Sequence, residues 1–475
     1  MKSARLIRRY PFGWLALLFV VCVIPAARSA EDRQLKARID ALAQPLIDNG
    51  KIVGLAIGVI RGDETYVLGY GEVAEGSHEK PTGDTIFEIG SISKVFTGLL
   101  LADMVEHGLV RLDQSVQSLL PSTVIVPKKG DRSITLLDLV THTSGLPRVP
   151  DNHKPKNRAN PYADYTFEQL YEFLSQYSLT REPGAKYEYS NLGMGLLGHA
   201  LALRAGMNYE ELLKRRICEP LGLKETTITL TEEQQKRFAQ GYNANGKPTP
   251  HWDNPTLAGA GGLRSSVNDL LRFLRKNIDP SGVPLERALR ASHVPRFDRP
   301  NTPSLAMGWQ FSYIGSGYAL GHNGSTGGFR SFTVFDTKLK MGVVVLANKA
   351  DTDTDRLAWQ AMGLLSPPVA GIAATMGMEG QDAVYPTILK ITPGGPAAKT
   401  GISVGDRLIG IEDEEGKFVD FKGKSQREVV VLIRGPAGST LRLVVEPKGT
   451  DERKVYELIR EIIEPAAPAP SPKKP

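Results

Sequence analysis

Cysteine is scarce in this chain of 475 residues, which contains two. Cys22 lies in an N-terminal segment that is expected to be removed, so Cys218 would remain alone and no internal disulfide could form. Cys218 sits in an apolar helical pattern before Pro220, which predicts a buried, small hydrophobic side chain rather than a nucleophile. The histidines show no metal-ligand spacing, so no metal site is predicted.

The chain also lacks a large positive net charge once its first thirty residues are left out. The formal net charge is +6, but five basic residues and no acidic residue lie in the first thirty positions: Lys2, Arg5, Arg8, Arg9 and Arg28. Without them the chain is almost neutral. No block of Lys and Arg with interleaved aromatic residues occurs beyond them, so a nucleic-acid partner is not expected.

No apolar run reaches the ~20 residues that a membrane span requires. The longest candidate, Phe12–Ile24, follows the basic start and is followed by Pro25, which should end any helix, and by small residues at Ala27–Ala30. This order predicts a signal peptide over residues 1–29, cleaved after Ser29, and a periplasmic or secreted protein without a stable membrane span. An uncleaved N-terminal anchor is the alternative.

The length favours two or three domains. Residues 31–366 alternate strand and helix patterns, with strands predicted at Ile52–Ile60, Thr65–Tyr70, Ser331–Phe335 and Met341–Ala347 and helices at 91–107, 135–141, 166–176, 191–205 and 209–217. This predicts an α/β (α+β) domain: an antiparallel sheet closed from both ends of the segment and flanked by helices, plus a helical lobe. Pro367-Pro368 suggests a boundary before a small β-rich domain at 369–463, and the Pro-rich tail 464–475 is expected to be disordered.

The first chemical motif is Ser91-Ile92-Ser93-Lys94, at the start of a predicted helix. Residues three apart share a helix face, so Lys94 can reach the Ser91 hydroxyl. Unpaired N–H groups at the helix start favour negative charge on the serine oxygen. Burial would lower the pKa of Lys94 so that it accepts a proton. Alone, the motif could equally be a helix cap with a surface lysine.

Two weaker elements follow. Tyr189-Ser190-Asn191 offers a phenol that could ionise near a lysine and act as base or relay, and an amide that could hold Lys94 and a substrate amide; the ordinary interpretation is a strand-end aromatic and Asn191 as helix cap. Gly321–Phe329 precedes a strand and includes His322, Gly324 and Ser325, where glycine admits a substrate backbone and a strand N–H can complete an oxyanion hole. By itself that segment could be a Gly-rich turn.

The order S-x-x-K, Y-x-N and H-x-G resembles the serine β-lactamase and penicillin-binding family, specifically the class C branch with its esterases and D-aminopeptidases. Phe87–Gly90 and Leu139–Pro147 match as well. The resemblance implies catalytic Ser91, Lys94 and Tyr189, and substrate binding by Asn191, His322, Gly324 and Ser325. It further implies an acyl-enzyme on Ser91, with the N–H groups of Ser91 and Ser325 as oxyanion hole and no cofactor.

One element departs from the family pattern. The β-lactamases carry K-T-G where this chain has His322-Asn323-Gly324, and histidine titrates near ~6.5 while lysine is fully charged at neutral pH. His322 would therefore hold a substrate carboxylate more weakly. Val149 also lies near where the β-lactamases place a substrate-binding glutamine. These departures favour an esterase, amidase or D-peptidase over an antibiotic-hydrolysing enzyme.

The C-terminal region resembles a bacterial PDZ domain, closest to that of tail-specific processing proteases, on the segments Ile388–Gly401, Val404–Leu408 and Val431–Gly438. The resemblance implies a carboxylate-binding loop at Gly371, Ile372, Ala373 and Ala374 and a groove wall at the helix near 425–434. The alternative is a structural sandwich that binds nothing.

Together these patterns predict an exported serine hydrolase acting on an amide, ester or β-lactam, whose PDZ domain recruits the C-terminus of a partner or substrate. The rival function is non-catalytic: a penicillin- or peptidoglycan-binding sensor that acylates and stalls, or a PDZ adaptor. Burst kinetics without turnover would favour the sensor.

Overall fold

The computed structural model describes residues 17–299, 302–314, 317–366, 369–378, 384–412 and 416–462. The α-helices are α1 (Leu17–Asp48), α2 (Ser93–Glu106), α3 (Leu136–Val140), α4 (Phe167–Gln176), α5 (Asn191–Ala205), α6 (Tyr209–Leu213), α7 (Glu219–Leu221), α8 (Glu232–Lys236), α9 (Ala258–Gly261), α10 (Val267–Ile278), α11 (Glu286–Ser292), α12 (Thr354–Leu365) and α13 (Gln426–Ile433). Short 3₁₀ turns occupy Gly90–Ile92, Val116–Leu119 and Ala397–Lys399, and a π turn occupies Lys214–Cys218.

The strands of the first domain are β1 (Gly54–Arg61), β2 (Glu64–Gly71), β3 (Ile86–Glu88), β4 (Lys128–Lys129), β5 (Arg132–Ser133), β6 (Arg264–Ser266), β7 (Phe297–Arg299), β8 (Thr302–Leu305), β9 (Gln310–Ile314), β10 (Gly317–Ser325), β11 (Arg330–Asp336) and β12 (Met341–Ala347). Those of the second are β13 (Val369–Gly371), β14 (Ala374–Gly377), β15 (Thr387–Ile391), β16 (Arg407–Glu412), β17 (Phe418–Asp420), β18 (Gly435–Pro436), β19 (Thr440–Glu446), β20 (Lys454–Ile459) and β21 (Glu461–Ile462).

The main sheet confirms the predicted architecture. Its order is β2-β1-β12-β11-β10-β9-β8-β7, so the first two strands of the domain join the last one in the middle of an eight-stranded sheet. The pairs β1–β2, β1–β12 and β11–β12 are antiparallel. Strands from both ends of the domain therefore close one sheet, and the helical lobe occupies the sequence between them.

Alternation along the central strands divides the apolar side chains between two layers, because successive residues of a strand face opposite sides. Ile57 and Val345 pack in the layer that α1 and α12 cover. Ala56 and Val344 pack in the larger core that contains α2, α5 and α10. The active-site candidates lie on the side of this larger core, between the sheet and the helical lobe.

Close helix packing in the lobe depends on small residues of α5. A β-carbon on Gly195 would meet Leu257 at 2.6 Å, and one on Gly198 would meet Gly259 Cα of α9 at 3.2 Å. These glycines let α5 approach α9, which carries a carbonyl of the site described below.

Two local predictions have clear outcomes. Cys218 is buried, and its burial raises the pKa of its thiol to about 12, as expected for an inert packing residue. The prediction that Pro25 ends a helix is wrong: α1 continues across it to Asp48. Proline clashes with the preceding turn but does not prevent a helix that continues on both sides. Across the described parts of the chain, none of the helices has the length and apolarity to cross a membrane.

The second domain has its own core. The strands β14-β15-β16-β19-β20 form its main sheet, with β17 beside β16, and β18-β13-β21 form a smaller one. Apolar residues of these strands pack with α13 in a separate cluster that includes Ile388, Phe421, Val429 and Leu443. The boundary residues Pro367-Pro368 and the tail 464–475 lie outside the described residues.

Candidate active site

The Ser91 turn depends on the conformation of the residue before it. Ser91 lies in the 3₁₀ turn immediately before α2, two residues earlier than the helix itself begins. Gly90 has φ +48°, a value that residues with a β-carbon rarely adopt. Ser93 secures the turn, because its hydroxyl donates to Gly90 O at 2.7 Å and accepts from Leu263 N at 3.0 Å. The second serine of the motif is therefore an anchor, and Ser91 stays partly exposed.

Lys94 is completely buried beneath Ser91. Its Nζ lies 2.9 Å from Ser91 Oγ, 2.9 Å from Asn191 Oδ1 and 2.6 Å from the carbonyl oxygen of Ala260. Burial, together with the positive charge of Arg148, holds its pKa well below the usual range for lysine. A neutral amine has two N–H groups, which match the two carbonyl acceptors, and one lone pair, which then faces Ser91 Oγ. This is the geometry of a general base for the serine.

Tyr189 contacts the same serine oxygen from another side. Its hydroxyl donates to Ser91 Oγ at 2.9 Å. Burial raises the pKa of this phenol to about 12, so it stays protonated at neutral pH. The suggestion that the tyrosine ionises is therefore not supported, and the structure favours Lys94 as base and Tyr189 as proton donor.

Asn191 is held at the start of α5. The helix cap is Ser190, whose hydroxyl accepts from Gly193 N at 2.8 Å, so the prediction that Asn191 caps the helix is wrong. Asn191 is the first helical residue, and this leaves its side-chain oxygen free to accept from Lys94. Sequence alone cannot separate two adjacent polar residues that both suit a cap position.

The opposite wall is β10, which passes directly against the Ser91 turn. A β-carbon on Gly324 would lie 2.0 Å from Ile89 O, and one on Gly90 would lie 2.6 Å from Ser325 N. Ser331 of the neighbouring strand donates to Ile89 O at 2.9 Å. Two glycines thus bring the backbone of Ser325 beside Ser91, as an oxyanion hole requires.

His322 faces the site from β10, but without charge. It is 3% exposed, and burial together with the nearby Lys94 lowers the pKa of its ring to about 4. Its Nδ1 donates to Asn323 O at 2.6 Å, since a carbonyl can only accept. His322 is therefore neutral at neutral pH, and it offers a substrate carboxylate less attraction than a partly charged histidine would.

The sequence of this domain decides its family. The sequence model of the beta-lactamase family matches residues 39–365. This chain belongs to the beta-lactamase family. A beta-lactamase of Pseudomonas fluorescens is 28% identical over 356 residues, which cover 67% of this chain and 95% of that protein. The D-alanyl-D-alanine-carboxypeptidase/endopeptidase AmpH of Escherichia coli K12 is 28% identical over 331 residues, 66% of this chain and 83% of that protein.

Solved structures agree with the sequence relatives. A beta-lactamase/D-alanine carboxypeptidase from Yersinia pestis, solved with citrate, superimposes with a TM-score of 0.63 at 27% identity over 70% of this chain and 97% of its own. The beta-lactamase-family domain is therefore a serine hydrolase fold, and its relatives include both β-lactamases and D-alanyl-D-alanine carboxypeptidases. A PDZ domain model matches residues 371–446.

Three features of the site in this beta-lactamase-family enzyme were not predicted from the sequence patterns. The Ala260 carbonyl carries no side-chain signal at all. His142, at φ +58°, stacks its ring on Tyr189 with centroids 4.5 Å apart, and Arg148 lies on that ring as well, its Cζ 5.0 Å from the centroid. The segment Leu139–Pro147, which matches the family pattern, contains His142 and ends one residue before Arg148. This segment was the part of the sequence that could have indicated both residues.

The predicted PDZ loop lies between two strands of that domain. Gly371 ends β13, Ala374 begins β14, and the carbonyls of Ile372 and Ala373 accept from Ala397 N at 3.0 Å and Thr392 N at 2.9 Å. Helix α13, the predicted groove wall, lies beside β14, where Gln426 Nε2 donates to Met376 O at 2.5 Å. An edge strand next to a helix is the arrangement that PDZ domains use for peptide C-termini. Within the described residues no group of three or more His, Cys, Asp or Glu could hold a metal ion.

Proposed function

We propose that this protein is an exported serine hydrolase that forms an acyl-enzyme on Ser91. The supporting observation is that Ser91 Oγ lies 2.9 Å from both Lys94 Nζ and Tyr189 OH. A buried, neutral amine and a protonated phenol on one hydroxyl are the base and the acid that acyl transfer needs. The relatives that include β-lactamases and carboxypeptidases are consistent with this chemistry.

The reaction follows from the protonation states. Ser91 gives its proton to Lys94 as Oγ bonds to the substrate carbonyl carbon, and the carbonyl oxygen becomes an oxyanion between the N–H groups of Ser91 and Ser325. When the carbon–nitrogen or carbon–oxygen bond breaks, Tyr189 and Lys94 return that proton to the leaving group. A water oxygen then bonds to the acyl carbon as Lys94 accepts one of its protons. The bond between that carbon and Ser91 Oγ breaks, Lys94 returns the proton to Oγ, and the acid product leaves with Ser91 restored.

We infer a D-amino-acid peptide or ester rather than a β-lactam as the substrate. His322 replaces the family lysine and is neutral, so a substrate carboxylate, whether of a β-lactam or of a peptide C-terminus, finds no charge at that position. The name of the AmpH relative, D-alanyl-D-alanine-carboxypeptidase/endopeptidase, supports the peptide class. No cofactor is part of this proposal.

The proposal extends to location and partners. Residues 1–29 would be a signal peptide, residues 31–366 the hydrolase and 369–463 a PDZ domain that recruits a peptide C-terminus through Gly371–Ala374. The described residues support this division because each domain has a separate apolar core. Recovered protein should begin near Ala30; an intact Met1 would contradict export with cleavage.

The deciding experiment compares the native protein with Ser91→Ala. A D-Ala-D-Ala peptide, a D-amino-acid amide, a short ester and a penicillin are assayed for turnover, and the acyl adduct is located by mass spectrometry. The native protein should turn over at least one substrate through an adduct on Ser91, and Ser91→Ala should lose both. Ser77→Ala, a change of an exposed serine, should keep them.

Two outcomes would contradict the proposal. Labelling of Ser91→Ala at another residue would refute the nucleophile. A stoichiometric burst on Ser91 with no turnover of any substrate would favour the penicillin- or peptidoglycan-binding sensor instead.

A further inference from the structure

The active site lacks a charged group where the family has one, yet it contains another permanent cation. His322 is neutral at neutral pH, and Lys94 is buried and engaged with Ser91, Asn191 and Ala260. Arg148 is exposed, and arginine stays charged at every pH at which proteins fold. Its guanidinium carbon lies 5.0 Å from the centroid of the Tyr189 ring, and the hydroxyl of the same ring donates to Ser91 Oγ at 2.9 Å.

The backbone around Arg148 is held firmly to the catalytic loop. Its carbonyl oxygen accepts from Asn191 N at 2.9 Å and from Leu192 N at 3.1 Å, and the Pro147 carbonyl accepts from the Ser190 hydroxyl at 2.7 Å. The Tyr189 ring supports the guanidinium from below by a cation–π contact. The segment that carries Tyr189 and Asn191 thus holds both the backbone and the guanidinium of Arg148 beside the Ser91 site.

Two other arginines of the helical lobe have carboxylate partners in the described part of the chain, whereas Arg148 has none there. Arg132 pairs with Asp138 at 3.3 Å, and Arg181 pairs with Glu188 at 2.6 Å. Arg148 has no such carboxylate partner among the residues that the structure describes. An arginine with a fixed backbone, a supporting aromatic ring and unused donors is suited to bind a carboxylate through two parallel hydrogen bonds.

We propose that Arg148 binds a carboxylate of the substrate and makes the enzyme selective for anionic peptides. This inference rests on the proposed peptidase function and adds the group that recognises the substrate's charge. One residue of peptide spans about 3.5 Å, so a carboxylate one or two residues from the scissile bond can reach across the Tyr189 ring. The carboxylate could belong to the leaving residue or to the acyl side of the substrate, and the test distinguishes them.

The test compares matched substrate pairs. The first pair is a D-Ala-D-Ala peptide with a free C-terminus and its C-terminal amide. The second is a D-alanyl amide substrate with a glutaryl group on its acyl side and the same substrate with a neutral butyryl group. Each kcat/KM ratio of charged to neutral substrate is measured for the native enzyme, Arg148→Gln, Arg148→Lys and the control Arg287→Gln, which changes an exposed arginine on α11.

Arg148→Gln should lower the ratio about tenfold or more for the pair whose carboxylate it binds, mainly through KM, because charge-assisted hydrogen bonds are lost. Arg148→Lys should restore part of the ratio. Arg287→Gln should leave both ratios unchanged. A general loss of activity, or a changed pKa of Lys94, affects both members of a pair and cancels in the ratio.

Unchanged ratios in Arg148→Gln for both pairs would overturn the inference while leaving the proposed peptidase intact. If the native enzyme hydrolyses none of the four substrates, the peptidase proposal fails. The inference is then decided by the rates at which benzylpenicillin and its uncharged methyl ester acylate Ser91. Their ratio should fall in Arg148→Gln, and an unchanged ratio would refute the role of Arg148.

Discussion

Gly90 and Ser325 approach each other through their backbones, so closely that a β-carbon on residue 90 would lie 2.6 Å from Ser325 N. This contact joins the Ser91 turn to β10, and it sets the distance between the two N–H groups of the proposed oxyanion hole. Ser91, the proposed nucleophile, is therefore positioned by a sheet strand that lies more than two hundred residues further along the chain.

Gly90→Ala should lower kcat by about a hundredfold or more, because the added methyl group pushes β10 away and disfavours φ +48°. Steady-state kinetics on a short ester provides the measurement, with circular dichroism to check folding. Gly363→Ala is the control: nothing lies within 4 Å of its β-carbon position in α12, so activity should persist and stability should rise by about 0.5–1 kcal/mol. Full activity in Gly90→Ala would show that the oxyanion hole lies elsewhere.

Lys94→Met should abolish turnover and change how stability depends on pH. The pKa of Lys94 is lowered in the folded protein, so between that pKa and about 10.4 the unfolded chain binds one more proton than the native state. Native stability therefore rises with pH in this window, by up to ~1.4 kcal/mol per pH unit. Lys94→Met lacks this contribution.

Urea unfolding of both proteins at pH 7, 8 and 9 measures this difference. The free energy of unfolding of the native protein should rise relative to that of Lys94→Met as pH increases. Curves that stay parallel across the window would mean that Lys94 is charged when folded and is not the base.

Tyr189→Phe should lower kcat by about a hundred- to ten-thousandfold, since the phenol that donates to Ser91 Oγ is lost. The ring remains, so stacking on His142 should persist and stability should change by less than about 1 kcal/mol. Because the pKa of Tyr189 is about 12, native activity should show no rise due to its ionisation below pH 10. Near-native kcat in the variant would assign proton transfer to Lys94 alone.

A chain that ends at Ser366 should fold and hydrolyse a small ester at nearly the full-length rate. The Ser91, Tyr189 and β10 elements all precede Ser366, and the PDZ domain packs around its own core. The shortened chain should not bind peptides that end in a free carboxylate, which titration against the full chain can measure. If the shortened chain folds but no longer hydrolyses the ester, the PDZ domain contributes to the active site.

Much of the site was predictable because its chemistry lies in short local patterns. The spacing of Ser91 and Lys94 places both on one helix face whatever the rest of the fold does. The strands predicted at Ile52–Ile60 and Met341–Ala347 also matched the structure closely, as Gly54–Arg61 and Met341–Ala347. The lowered pKa of Lys94 was harder to predict from the sequence, because this shift depends on burial by residues that lie far away in the chain.

What the sequence determined by itself was the family and the order of the two domains, since these follow from residue types at fixed separations. It also selected Ser91, Lys94 and Tyr189 as the candidate reacting residues. Only the tertiary structure decided their chemical states. The Ala260 carbonyl completes the surroundings of Lys94, the Tyr189 ring carries Arg148, and burial keeps His322 neutral. Each effect joins residues far apart in the chain, and the electrostatic cost of burying a charge depends on the groups packed around it, which no local pattern contains.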